Sequence, residues 1–243
     1  MIRSPSGYAV SVRKPDGEIV VKFFPYRTRL KDFPFRLPII RGLVAVYELL
    51  IIALSALNYS SEMLGEKKDP ISIPIAIVLG LLLFIGVPYY LTVLVGIGRS
   101  DPSFHLVDGI FKVVVIIGYL LIIRIFKDVR RIFSLHGAEH VVVNSYEQDR
   151  KTDSTFHSRC GTNLILLIVI VSVLVFSISG AGLFLRFLLL PIIFSLSYEL
   201  FLLLNHLHLI PSFLQHLTTL PPSEEEIRIA QAALKSVLEH EVG

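Results

Sequence analysis

A single cysteine, Cys160, occurs among 243 residues, so no disulfide can form within the chain. The one thiol must be packing, a ligand or a reactive group. Charge is also scarce, with Asp, Glu, Lys and Arg together making up 18% of the residues. The opening stretch, MIRSPSGYAVSVRKPDGEIVV, lacks the basic-then-apolar layout of a secretory signal, so membrane insertion is expected to rely on internal segments. Neither an internal repeat nor a low-complexity tract is found. What is plentiful is apolar surface. Hydrophobic residues reach 53% and mean hydropathy is +0.68, more than one water-soluble core of this size can enclose. The composition therefore predicts an integral membrane protein.

Residues 7–25 alternate in β fashion around Pro15-Asp16-Gly17, which is turn chemistry, so a small hairpin is expected ahead of the membrane part. Five apolar segments follow. Ile39–Leu64 is compromised by Arg41, Glu48 and the polar SALNYSSE, whereas Ile71–Ile97 carries no charge and is long enough to span about 30 Å of hydrocarbon. Leu106–Phe126 contains Asp108, Lys112 and Arg124. Leu164–Ser179 and Leu183–Leu204 read as a helical hairpin closed by Ser179-Gly180-Ala181-Gly182, with Arg186, Pro191 and Glu199 in its second arm.

Basic residues crowd the N-terminal 38 residues and again residues 127–160. Placing both clusters in the cytoplasm demands an even number of crossings between them. The expectation is an all-α polytopic membrane protein of about four transmembrane helices, with Ile39–Leu64 re-entrant or interfacial. Five crossings is the alternative. Residues 1–38 form the basic hairpin segment, 39–210 the membrane domain with a cytoplasmic loop at 127–162, and 211–243 a C-terminal cytoplasmic helix. That helix starts with a capping box, Ser223 with Glu226, and its apolar face, Ile227, Ala230, Leu234 and Val237–Leu238, is expected to dock on the rest of the protein. Membrane lipids, other membrane proteins and further copies of the chain are the expected partners. The basic surface suits anionic lipid rather than nucleic acid.

Chemistry concentrates in FSLHGAEHVVVNSYEQD and the later HSRCGT. On a helix, HGAEH projects His136, Glu139 and His140 in one direction. Two imidazoles one turn apart can share a Zn²⁺ at about 2.0–2.1 Å, and H-x-x-E-H is the inverted zincin spacing, with the glutamate as base toward water. Gly137, a poor helix former, lets another backbone approach beside His136. His157 and Cys160 both qualify as a third ligand, the thiolate gaining from its place near the start of the next helix. The bland alternative is a pair of interfacial histidines bonded to loop carbonyls. Zinc, or another divalent ion, is the expected cofactor. Glu199 is a carboxylate in an apolar span, which must be paired or near water. Asp108, Lys112 and Arg41 are its candidate partners, because Arg186 lies about 20 Å away along the same helix. His206, His208 and His216 read equally well as loop residues and as extra ligands.

Several separated blocks, RGLVAVYELLIIALSAL, DGIFKVVVIIGYL, KDVRRIFSLHGAEHVVVNSYE, HSRCGT, LLLPIIFSLSYEL and FLQHLTTLPPSEEEIRIAQAAL, resemble in order the YqhQ-like bacterial membrane proteins, described as a domain of unknown function and a predicted metal-dependent enzyme. The resemblance implies that His136, Glu139, His140, Tyr146, Glu147, His157, Arg159, Cys160, Gly161, Tyr198 and Glu199 stand at the family's characteristic positions. Val141 and Ser158 depart from its usual basic residue and proline. Three functions follow as expectations: a zinc-dependent hydrolase with Glu139 as catalytic base, in the inner membrane with both termini cytoplasmic; a scaffold or membrane-protein biogenesis factor with a structural metal clamp; and a transporter using Asp108, Lys112 and Glu199.

Overall fold

The computed structural model describes residues 1–66, 71–98, 101 and 103–241. It is mostly helical with a small N-terminal antiparallel sheet. Its strands, β1 (Ile2–Arg3), β2 (Gly7–Arg13) and β3 (Ile19–Pro25), stand in the order β1-β2-β3. The expected hairpin is β2–β3, in the register Val12↔Val20, and β1 adds a third strand through Ile2↔Ala9. The turn forms because Gly17 takes a φ of 90°, which a side chain would resist, while Asp16 Oδ1 accepts from the Glu18 amide at 2.9 Å.

Nine helices follow among the described residues: α1 (Ile40–Met63), α2 (Ser72–Leu81), α3 (Val87–Leu94), α4 (Phe104–Ile123), α5 (Lys127–Glu147), α6 (Thr162–Ser179), α7 (Leu183–His206), α8 (Gln215–Thr218) and α9 (Glu224–Glu241). A single π turn, Leu82–Gly86, joins α2 to α3 into one rod. Five rods, α1, α2–α3, α4, α6 and α7, are long and apolar enough to cross a membrane, which makes the chain a multi-pass membrane protein. The 21-residue α5 is polar by comparison and carries the histidine motif.

Strand side chains alternate between faces, and this sheet is covered on both. Ile2 and Ala9 pack with Ala138 and Val142 of α5 and with Ala230, Ala233 and Val237 of α9. Tyr8, Val10 and Val12 on the other face meet Ile52, with Ala56, Tyr59 and Met63 of α1 alongside. Ser11 Oγ also donates to the Ile229 carbonyl at 2.7 Å. The α9 cap forms as its sequence predicts, with the Ser223 amide on Glu226 Oε2 at 2.7 Å. Its apolar face docks on the sheet and α5, so the two ends of the chain and the polar helix make one layer. The membrane helices stand against that layer, and the α6–α7 hairpin turns at Gly180, whose φ is 59°.

Candidate metal centre

Position Gly137 determines how the last part of the chain crosses α5. A Cβ there would sit 2.1 Å from the Leu220 carbonyl oxygen, closer than two such atoms can approach. Because the position is glycine, the α8–α9 connector runs directly over the helix, with the Leu220 amide on the Phe133 carbonyl at 3.0 Å. This crossing brings the Thr218 carbonyl to His136 Nδ1 at 3.0 Å. Two turns further along α5, Asn144 Nδ2 donates to the carbonyls of Ser154 at 3.0 Å and Phe156 at 2.8 Å. That pairing lays residues 152–156 along the helix and puts the Thr155 carbonyl 2.6 Å from His140 Nδ1.

Both imidazoles thus donate through Nδ1 to backbone oxygens and turn Nε2 the same way, the orientation in which a ligand histidine is fixed by an outer partner. Cys160 completes the set. Its Sγ lies 3.4 Å from His136 Nε2, and donor atoms of His136, His140 and Cys160 all fall within 4.8 Å of one another. Two imidazoles and a thiol at that separation suit Zn²⁺, which bonds both nitrogen and sulfur and keeps an open position when only three protein ligands are present.

The electrostatics favour the ligand form of the thiol. Burial opposes ionisation of Cys160, but hydrogen bonds from His136 and His140 and the nearby imidazole charge outweigh it, bringing the thiol from its ordinary 9.0 to about 5. The Thr162 amide at the start of α6 adds a bond to Sγ at 3.4 Å. For His136, burial opposes protonation, yet the bond to Cys160 and the Thr218 carbonyl raise it above 6.5.

Of the two candidate third ligands, the structure brings Cys160 into the group and leaves His157 beside it. The His157 ring lies 5.8 Å from that of His140, with Nε2 facing Glu147 Oε2 at 3.3 Å and Nδ1 accepting the Arg159 amide at 3.3 Å. Glu147 also pairs with the Arg159 guanidinium. Glu139 lines the same cavity of about 550 Å³ as His136, His140, Cys160, His157 and Arg159. Its carboxylate is 38% exposed there and 3.7 Å from the Met1 amino group. His216 packs against Phe156 at 4.5 Å, and neither it nor His206 or His208 belongs to the donor group.

Glu199 sits apart from this centre, bidentate on Arg41 with Nε at 2.6 Å. Tyr198 lies within electrostatic reach of the same pair. Asp108 takes Lys112 at 2.6 Å and Arg186 at 2.8 Å, the latter contact out of line for a hydrogen bond. The Arg186 guanidinium is stacked over Tyr89 and Phe176, each at 4.7 Å. Asp108 and Lys112 therefore form one ion-pair group and Glu199 another.

Sequence reasoning missed the residues that hold the loop. Gln215, fully buried, accepts the His157 amide and donates to the His157 carbonyl, each at 2.9 Å, and reaches Asn163 Oδ1 at 2.8 Å. Asn163 Nδ2 donates to the Ser158 carbonyl at 3.0 Å. Their only signal was a polar amide on either side of an apolar run.

Two outcomes are expected. Gly137→Ala forces the Leu220 carbonyl away and destabilises the protein by about 1–3 kcal/mol, read as a lower unfolding midpoint. The metal-free protein ionises its thiol with a midpoint near pH 5, read by thiolate absorbance. Because that value is depressed, the thiolate is present above it and lost as pH falls through it. His136→Ala moves the midpoint back toward 9.

The model of the family described as a protein of unknown function, DUF1385, matches residues 37–240. The chain is 28% identical over 276 aligned residues to the uncharacterised protein YqhQ of Bacillus subtilis strain 168, covering 95% of this chain and 86% of the relative. No solved structure matches. With most of its length inside that match, and with the expected resemblance to YqhQ, this chain belongs to the DUF1385 family.

Proposed function

We propose that this protein is a metal-dependent hydrolase of the membrane surface, acting on an ester, amide or phosphoester of a lipid-like substrate. The observation that carries the reading is the convergence of three donors, His136, His140 and Cys160, within 4.8 Å, on a cavity that Glu139 also lines. A structural clamp ordinarily has four protein ligands, whereas three with one open position suits catalysis. A divalent ion held there supplies Lewis acidity and a water-derived nucleophile at neutral pH.

The side chains divide the remaining work. The Thr155 and Thr218 carbonyls hold the imidazole tautomers with Nε2 toward the donor group. Glu139 accepts a proton at its carboxylate and can return it to the leaving group, as a general base followed by a general acid. Arg3, Lys31 and Arg159 line the same cavity and suit an anionic group on the substrate. Purified protein is expected to retain about one zinc per chain, as three-ligand sites do. His136→Ala with His140→Ala removes it, whereas Glu139→Gln keeps the metal and lowers hydrolysis of a lipid phosphoester by 10²-fold or more. Unchanged metal content in the double variant would refute the proposal.

We also infer four crossings, with α1 folded back on one side. Ile52, Ala56, Tyr59 and Met63 of α1 pack against the charged N-terminal sheet over several turns. Glu48, buried on the same helix, accepts the Arg29 amide at 2.7 Å and Thr28 Oγ1 at 2.8 Å. Both ends of α1 then stay on the side of the sheet, and α2–α3, α4, α6 and α7 cross. The basic residues of the sheet and of α5 support a cytoplasmic position for that side. A second thiol introduced at Ser61 is expected to react with an impermeant maleimide in inside-out vesicles and not in intact cells. One at Gly180 is expected to do the reverse.

A further inference from the structure

A second cavity, of about 470 Å³, lies among the membrane helices, with Leu214 and Thr218 at one end. Its walls come from α2 and the π turn after it, α4, α6, α7 and the α8 segment, and the lining on α6 runs from Thr162 to Phe176. Fourteen residues of helix at 1.5 Å each make this a slot roughly 21 Å long. That length and volume leave room for a hydrocarbon chain lying along α6 at the usual carbon contact of about 3.5–4.0 Å with the walls. The length also matches or exceeds the roughly 15 Å depth of one leaflet, half of the hydrocarbon thickness.

The slot offers almost nothing to a polar occupant. Ser172 Oγ is bonded to the Val169 carbonyl at 2.8 Å, Lys112 to Asp108 at 2.6 Å, and Thr218 Oγ1 to the Leu214 carbonyl at 3.2 Å. Thr162 Oγ1 is taken by Cys160 Sγ and Thr218 Oγ1, each at 3.4 Å, and apart from the Tyr119 hydroxyl the rest of the lining is aliphatic or aromatic. Ordered water needs two to four polar partners, about three on average, and this lining does not supply them. The bilayer does supply hydrocarbon, and the wall it meets is open to it. Ala76 and Ile77 line the slot from α2 while remaining exposed, Ile77 at 58%.

One end of the slot meets the donor cluster. Thr162 and Thr218 both line it. Thr162 Oγ1 is also 3.4 Å from Cys160 Sγ, and the Thr218 carbonyl is the partner of His136. The geometry points to a binding site for the hydrocarbon chain of a membrane lipid: the chain lies along α6 and its polar end emerges at the Thr162–Thr218 end, level with the donor cluster. The slot stands on its own lining, and only the step from bound lipid to substrate rests on the hydrolase reading.

Gly80 provides the test, since it lines the slot and a Cβ built on it meets nothing within 4 Å. The full-length protein is reconstituted in vesicles of phosphatidylglycerol carrying a diazirine in one acyl chain, irradiated, and its adducts mapped by mass spectrometry. Adducts are expected at Ile116, Leu120, Ile168 and Phe194 within the slot. Gly80→Phe is expected to lower them at least fivefold while leaving adducts at the outward-facing Ile178 and Leu188 unchanged. Ala76→Leu, at the exposed mouth, repeats the comparison if the first variant does not fold. Adducts confined to outward-facing residues, or slot adducts unchanged in both variants, mean annular lipid only and overturn the proposal. Slot adducts that persist in the His136→Ala, His140→Ala protein support the slot even where the metal reading fails.

Discussion

Two backbone carbonyls, those of Thr155 and Thr218, set the geometry on which the centre depends. Each accepts from Nδ1 of one imidazole of α5, and each arrives from a segment distant from the helix in sequence or lying outside it. An unconstrained histidine turns about two side-chain torsions, so neither ring would face Cys160 by helical spacing alone. The hydrogen bonds remove that freedom before any ligand arrives, which lowers the ordering cost of binding. They also force the surrounding structure. The Thr155 carbonyl needs the Asn144 ladder along residues 152–156, and the Thr218 carbonyl needs a connector that passes over Gly137.

Among the described residues, the buried and half-buried ions of the apolar helices are paired. Glu48 collects the Arg29 amide, Thr28 and Arg3. Glu199 is gripped by the fork of Arg41, and Arg186 is enclosed by Asp108 and aromatic faces. Removing one partner from such a group strands a charge, which is far costlier than the net value of the pair. These groups tie α1 to α7 and α4 to α7, so they fix how the membrane helices lean on one another.

Much of the layout was legible in the chain itself. The apolar runs, the Pro15-Asp16-Gly17 turn and the Ser223–Glu226 cap depend on local pattern, and each formed where the pattern placed it. The histidine spacing and the close approach at Gly137 were equally local. The strand Ile2–Arg3 was missed because two residues carry no period. His157 and Cys160 could not be separated, since both are three residues apart and the choice depends on Glu147 and Gln215, contacts across 10 and 58 positions. The partner of Glu199 was likewise a long-range matter, decided by Arg41 at a separation of 158.

The passage of the Leu214–Pro221 stretch over α5 has a consequence for biosynthesis. Gln215 and Thr218 are needed to position the histidine–cysteine turn, and α9 closes the sheet against α5, yet all of them are made after the last apolar helix. A ribosome-bound chain that has already inserted every membrane segment can hold His140 through Thr155, but His136 still lacks its Thr218 carbonyl. The donor cluster is therefore completed last at His136, when residues 214–221 pass over α5 and bring up the Thr218 carbonyl.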